Sequence, residues 1–147
     1  MVCGSDHEKV KQVLAGIPVI LVQNQNWQTG QGSSIRLGVK ALPKDVSGCL
    51  FFMCDQPQIK KDLVQKIIDQ YKHEQAGIIA PQYQGQRGNP VLFDRSHFRE
   101  LETLMDEESG RSLFSRYPIT YVNSEDDSIL FDVDTLEDYE KLKGIDL

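Results

Sequence analysis

Short unbroken apolar runs alternate along this chain with stretches whose apolar residues recur every three or four positions. The first pattern reads as buried strands and the second as amphipathic helices. Val10, Val13 and Leu14 share a helical face; Ser5-Asp6-His7-Glu8 ahead of them has the spacing of a capping box, and Gly16 marks the stop. Pro18 to Val22 predicts a buried strand and Asn24 to Gly32 a polar loop. Ser33 or Ser34 then caps a helix carrying Ile35, Val39 and Leu42, which Pro43 ends. The run Cys49-Leu50-Phe51-Phe52-Met53 shows no polar alternation. It predicts a strand over Cys49 to Cys54, covered on both faces in a parallel sheet.

Leu63, Val64, Ile67, Ile68 and Tyr71 predict the next helix, and Gly77 to Pro81 a short strand. Tyr83 to Phe93, with Gly85 and Gly88 inside it, predicts a hairpin or bent excursion returning through Pro90-Val91-Leu92-Phe93. A helix with Phe98, Leu101, Leu104 and Met105 follows, then a shorter one from Arg111 to Tyr117 and a strand from Ile119 to Val122. A last helix is capped by Thr135 and closed by Gly144. Strands alternating with helices make the fold class α/β, as one domain over residues 1–147. The opening Met1-Val2-Cys3-Gly4-Ser5 reads as the tail of a strand and the turn into a helix, so the domain is expected to be incomplete at its amino end.

Charge narrows the partners. The formal net charge is -6, and the 16 Lys and Arg residues are dispersed rather than gathered in a stripe. Phosphate-backbone binding needs clustered cations, so nucleic acid is not expected as a partner, while a nucleotide held by a few cations and a metal is. The three cysteines include no C-x-x-C pair. Cys49 and Cys54 would lie roughly 16 Å apart on opposite faces of one strand, beyond disulfide reach. A reduced, cytoplasmic protein fits, with no membrane span and no signal peptide.

Candidate chemistry lies at the element boundaries. Asp55 in Met53-Cys54-Asp55-Gln56-Pro57-Gln58 stands beyond the carboxyl end of a predicted strand, where open α/β sheets bind ligands. It reads as a magnesium ligand or as a turn-maker. Asp132 and Asp134, two apart in an extended segment, share a face and supply further acids; the alternative is service to the following helix amino terminus. Magnesium takes few protein carboxylates and keeps waters and phosphates as its other ligands. Gly30-Gln31-Gly32-Ser33-Ser34 can lay N–H groups and hydroxyls against a phosphate, ribose or base edge. It lacks the Lys of a Walker loop. Gln86-Arg87-Gly88-Asn89-Pro90 offers a cation, a Gly permitting close approach and an amide, or is a plain hairpin turn. His7, His73 and His97 read as solvated surface.

As an ordered set these segments resemble the MobA-like nucleotidyltransferases, and within them the branch of the molybdenum cofactor cytidylyltransferases. Asn24-Gln25-Asn26-Trp27, Gly30 to Leu37, Asp55-Gln56-Pro57, Pro81 to Pro90 and Asp132 to Asp138 carry the likeness. The resemblance implies a Rossmann-like, three-layer nucleotidyltransferase fold and transfer of CMP from CTP to molybdopterin cofactor with release of pyrophosphate. It implies Asp55 and Asp134 as the catalytic, Mg2+-holding pair with Asp132 beside them. Asn24, Gly32, Ser33 and Ser34 would contact nucleotide, and Gln56, Arg87, Gly88 and Asn89 the second substrate. The family's opening strand and glycine-rich loop are absent from this sequence, Asn89 stands where His is usual, and Leu136 replaces a Pro.

The absent strand would be central. Its loss is expected to separate Val19–Val22 from Cys49–Cys54, expose strand edges that favour a homo-oligomer or a complementing polypeptide, and leave the reaction weak or absent. A non-catalytic remnant that binds a cofactor or a molybdoenzyme partner is the alternative, and a nucleotide-sugar transferase a third reading.

Overall fold

The computed structural model describes residues 1–74 and 77–142. The chain groups into two compact units, Met1–Ser47 with Ser96–Arg116, and Gly48–Arg95 with Tyr117–Leu147.

In the first unit, β1 (Val2–Cys3) pairs in parallel with β2 (Val22–Gln23), and α1 (His7–Val13) lies between them in sequence. The expected capping box does not form: Asp6 is the N-cap residue and makes no side-chain cap bond, since its carboxylate is held by Ser5 Oγ and Lys9. Nor is Pro18 to Val22 a buried strand. Val19 and Ile20 are exposed, and the strand begins only at Val22. α2 (Gln31–Lys40) starts ahead of both serines, with Gly30 at φ 134° as its N-cap, so Ser33 and Ser34 stand inside its first turn. α4 (Phe98–Leu101), only one turn long, packs against α2 and follows a 3-10 turn from Arg95 to His97. Phe98, Leu101 and Leu104 are buried as their spacing predicts, whereas Met105 is exposed. His97, expected on the surface, is buried.

The second unit holds a five-stranded mixed sheet: β3 (Gly48–Phe51), β4 (Ile78–Tyr83), β5 (Gln86–Arg87), β6 (Val91–Asp94) and β7 (Ile119–Asn123). β3 pairs antiparallel with β6, β6 with β4, and β4 with β5; only β7 runs parallel, alongside β4. The apolar run at β3 therefore does not mark a parallel strand covered on both faces. β3 stands at the end of the sheet, every residue in it is half-buried, and it stops at Phe51. The hairpin is as expected: Gln84 (φ 49°) and Gly85 (φ 79°) make a two-residue turn with both residues left-handed, the geometry that matches strand twist.

α3 (Lys61–Glu74) lays Leu63 and Ile67 onto Ile79, Leu92 and Ile129, with Leu50, Tyr71 and Val122 packed around them. Each such buried aliphatic side chain contributes about 1.5–3 kcal/mol, which makes this cluster the anchor of the unit. α5 (Leu136–Leu142) opens with the predicted cap. Thr135 Oγ1 donates to Asp138 Oδ2 at 2.7 Å and accepts from Asp138 N at 3.1 Å, a reciprocal box that satisfies first-turn donors. The Gly144 stop lies outside the described residues.

Candidate functional site

The candidate residues of the first unit lie on the loop from Asn24 to Ser34. Asn24 is 1 % exposed. Its Nδ2 donates to Ser33 Oγ at 2.8 Å and to Ser34 Oγ at 2.9 Å, while its Oδ1 accepts from Asn26 N. Ser33 Oγ donates in turn to Gly30 O at 2.8 Å. Asn24 and Ser33 are thus spent on folding the loop, because buried polar groups must find partners. Ser34 Oγ accepts in this network.

Gly32 corrects its expectation. Its N–H donates to Asp106 O at 2.9 Å, and a Cβ there would stand 1.9 Å from Met105 O. It serves close packing of α2 on the 105–106 segment and offers no N–H to a nucleotide. Arg36 completes that junction, donating to Leu104 O and pairing with the Asp106 carboxylate, which it holds below the usual carboxylate range.

In the second unit the candidate residues converge on one stretch, Ser128 to Val133. Val133 N donates to Asp55 O at 2.8 Å, which sets the two acidic segments side by side. Gln56, 5 % exposed, donates from Nε2 to Asp132 Oδ1 at 2.6 Å and to Ile129 O at 3.4 Å. Asn89 N also donates to Ile129 O, and a Cβ on Gly88 would stand 2.3 Å from that same oxygen. The close approach that Gly88 permits is therefore to Ile129, and its N–H is taken by Pro81 O. Arg87 lies exposed on β5.

The carboxylates differ among themselves. Asp55 Oδ1 is buried and has no hydrogen-bond partner among the described residues. A carboxylate oxygen left so costs more than a neutral acceptor, and a hydrogen-bond donor, a water or a cation would offset that cost. Asp132 and Asp134 are exposed. Among the described residues no three His, Cys, Asp or Glu side chains gather so as to hold a metal, so the expected set of Asp55, Asp132 and Asp134 is not one cluster. Asp132 Oδ1 accepts instead from Gln56 Nε2.

Sequence reasoning passed over Gln58. It is 7 % exposed, and its Nε2 donates to Ser128 O at 2.8 Å and Phe131 O at 2.6 Å. Its Oε1 is buried without a partner among the described residues. Two neutral hydrogen bonds give about 1 kcal/mol each and one orphaned acceptor costs about 1–3 kcal/mol, so the residue adds little net stability. No pattern signals it: a polar residue after Pro57 reads as turn surface.

The mixed α/β architecture is that of the Rossmann-like nucleotidyltransferases. Residues 1–121 match the model of the MobA-like NTP transferase domain, and the chain belongs to that family. Solved structures agree. Rv0371c from Mycobacterium tuberculosis H37Rv is 25% identical with a TM-score of 0.79, over 99% of this chain and 75% of its own. The same protein has been solved in complex with manganese, at 23% identity and a TM-score of 0.78, over 96% of this chain and 74% of that one. Molybdopterin-guanine dinucleotide biosynthesis protein A from Archaeoglobus fulgidus is 12% identical with a TM-score of 0.70, over 97% and 75% of the two chains. The 4-diphosphocytidyl-2C-methyl-D-erythritol synthase from Anaerococcus prevotii DSM 20548 is 14% identical with a TM-score of 0.74, over 95% and 76%. No curated protein gives a significant match. Among the described residues no helix is long and apolar enough to cross a membrane.

Proposed function

We propose that the protein is a divalent-metal-dependent nucleotidyltransferase that uses CTP, with molybdopterin cofactor as acceptor and pyrophosphate as product. The observation that carries the reading is the orphaned Asp55 Oδ1, buried in a loop that Val133 N and Gln56 tie to the segment of Asp132 and Asp134. Asp55 and Asp134 would hold Mg2+ or Mn2+; two acids suffice, since such a cation keeps water and phosphate oxygens as its other ligands. When bound, the metal neutralises triphosphate charge. The acceptor phosphate is already anionic, so no general base is required, and the side chains' task is to orient the reactants. Manganese in the Rv0371c complex and the cytidyl chemistry named for the Anaerococcus synthase support the metal and the nucleotide.

Thermal unfolding of the full chain with Mn2+ and CTP, GTP or UDP-glucose tests this. A ligand at about 100 times its Kd stabilises by about 2.7 kcal/mol. The expected result is an upward shift with CTP plus Mn2+ that is lost in Asp55→Asn. A shift with UDP-glucose alone would favour the nucleotide-sugar reading. An Asp55→Asn variant with the wild-type response would remove Asp55 from the site.

A further inference from the structure

Gln58 ends the Asp55 hexapeptide with no role assigned to it by the motif, yet its buried carboxamide grips both ends of the turn that precedes the acids. Nε2 donates to Ser128 O at 2.8 Å and to Phe131 O at 2.6 Å, closing the four-residue turn Ser128 to Phe131. Phe131 is followed directly by Asp132, and Val133 N reaches back to Asp55 O at 2.8 Å. Gln58 thereby ties the loop carrying Asp55 to the segment carrying Asp132 and Asp134.

The choice of residue is telling. Burying a Gln here leaves Oε1 without a partner, and an orphaned acceptor costs about as much as the two N–H bonds return. An apolar side chain of the same volume would avoid that cost. What it could not do is fix the turn.

We infer that Gln58 is a positioning residue for the metal-holding acids: its amide sets the 128–131 turn and so the place of the Asp132–Asp134 segment relative to Asp55. The inference rests on the reading of Asp55 and Asp134 as a divalent-cation pair. Groups that orient metal ligands from behind typically change affinity by about 10–100-fold when removed.

The test compares wild type, Gln58→Met, which keeps the volume and loses the donor, and Asp55→Asn. Mn2+ binding is followed by the electron paramagnetic resonance of free Mn2+, and backbone amide exchange is read at Val133. Gln58→Met should weaken Mn2+ binding about tenfold or more and speed exchange at Val133, while β4 amides keep wild-type protection and unfolding stays cooperative. Wild-type Mn2+ affinity with unchanged Val133 exchange would overturn the inference. Should wild type bind no Mn2+, the metal-site reading falls, while Val133 exchange still decides whether Gln58 sets the turn. A measurement on the unmodified chain covers a variant that fails to fold. The Gln58 side-chain amide resonances should be slow to exchange and should shift on Mg2+ titration with the midpoint of the Asp55 backbone amide; no shift at saturating Mg2+ would also overturn it.

Discussion

Gly32 and Gly85 are the same residue type in two different predicaments, and the difference sets what replacing each would cost. Gly32 sits in ordinary helical backbone, but a Cβ there would lie 1.9 Å from Met105 O, a backbone atom that cannot swing away. Gly85 has open space around it and a φ of +79°. Overpacking a tight junction costs typically about 1–3 kcal/mol and occasionally more, whereas a left-handed L-residue costs about 1–2 kcal/mol. Gly32→Ala is expected to lose about 3 kcal/mol in urea denaturation, and Gly85→Ala about 1 kcal/mol. Equal losses would mean that the 105–106 segment can yield. Both glycines were visible in the sequence as turn formers. That one of them is a packing contact was not, because its neighbour is 73 residues away. The same holds for Asn24 and Gln56: residue type suggested polar contact with ligands, while tertiary structure turned each amide inward onto the chain.

At the scale of elements, local signals were legible wherever the partner is local. The Thr135–Asp138 box, the turn at Gln84-Gly85 and the α3 stripe all follow from residues within one or two turns of each other. The direction of β3 was not, since an apolar run fixes burial but not which strand lies beside it, and β6 comes 40 residues later. Asp55 was expected at the end of that strand, and it lies on a loop four residues past it. The capping box at Thr135 gives this scale its prediction. α5 is seven residues long, too short to hold by propensity, so its first turn depends on the cap. Thr135→Ala should cost about 1 kcal/mol and Thr135→Ser much less. Amide exchange at Asp138 and Tyr139 should rise in the first and stay near wild type in the second. Loss of protection in both would assign the effect to the Thr methyl rather than to the hydroxyl.

At the scale of the whole molecule, the perturbed carboxylates among the described residues lean one way. Asp6, Glu74, Asp106, Glu125, Asp126 and Asp138 all have their pKa lowered, through Lys9, Thr120, Arg36, Lys66, Lys60 and Thr135 respectively. A carboxylate whose folded pKa is depressed contributes stability above its unfolded value and loses it as pH falls through the folded one. The protein should therefore weaken on the acid side. Asp126 is the clearest case, brought from 3.8 to about 2 mainly by Lys60, with Ser128 N also donating to it. Its side chain is 35% exposed and that of Lys60 64%, so solvent screening leaves the pair only a modest contribution. Lys60 is raised above 10.5 by the same contact, which places a second, opposite loss above that pH. Asp126→Asn keeps an acceptor for Ser128 N and removes only the charge. Urea midpoints should show the variant modestly less stable at pH 7. The gap should persist down to about pH 4 and close near pH 2, where the wild-type carboxylate takes up its proton. It should also shrink in 1 M salt, where the screening length falls to about 3 Å. A gap equally wide at pH 7 and pH 2 would mean that Asp126 acts through hydrogen-bond geometry and not through its charge.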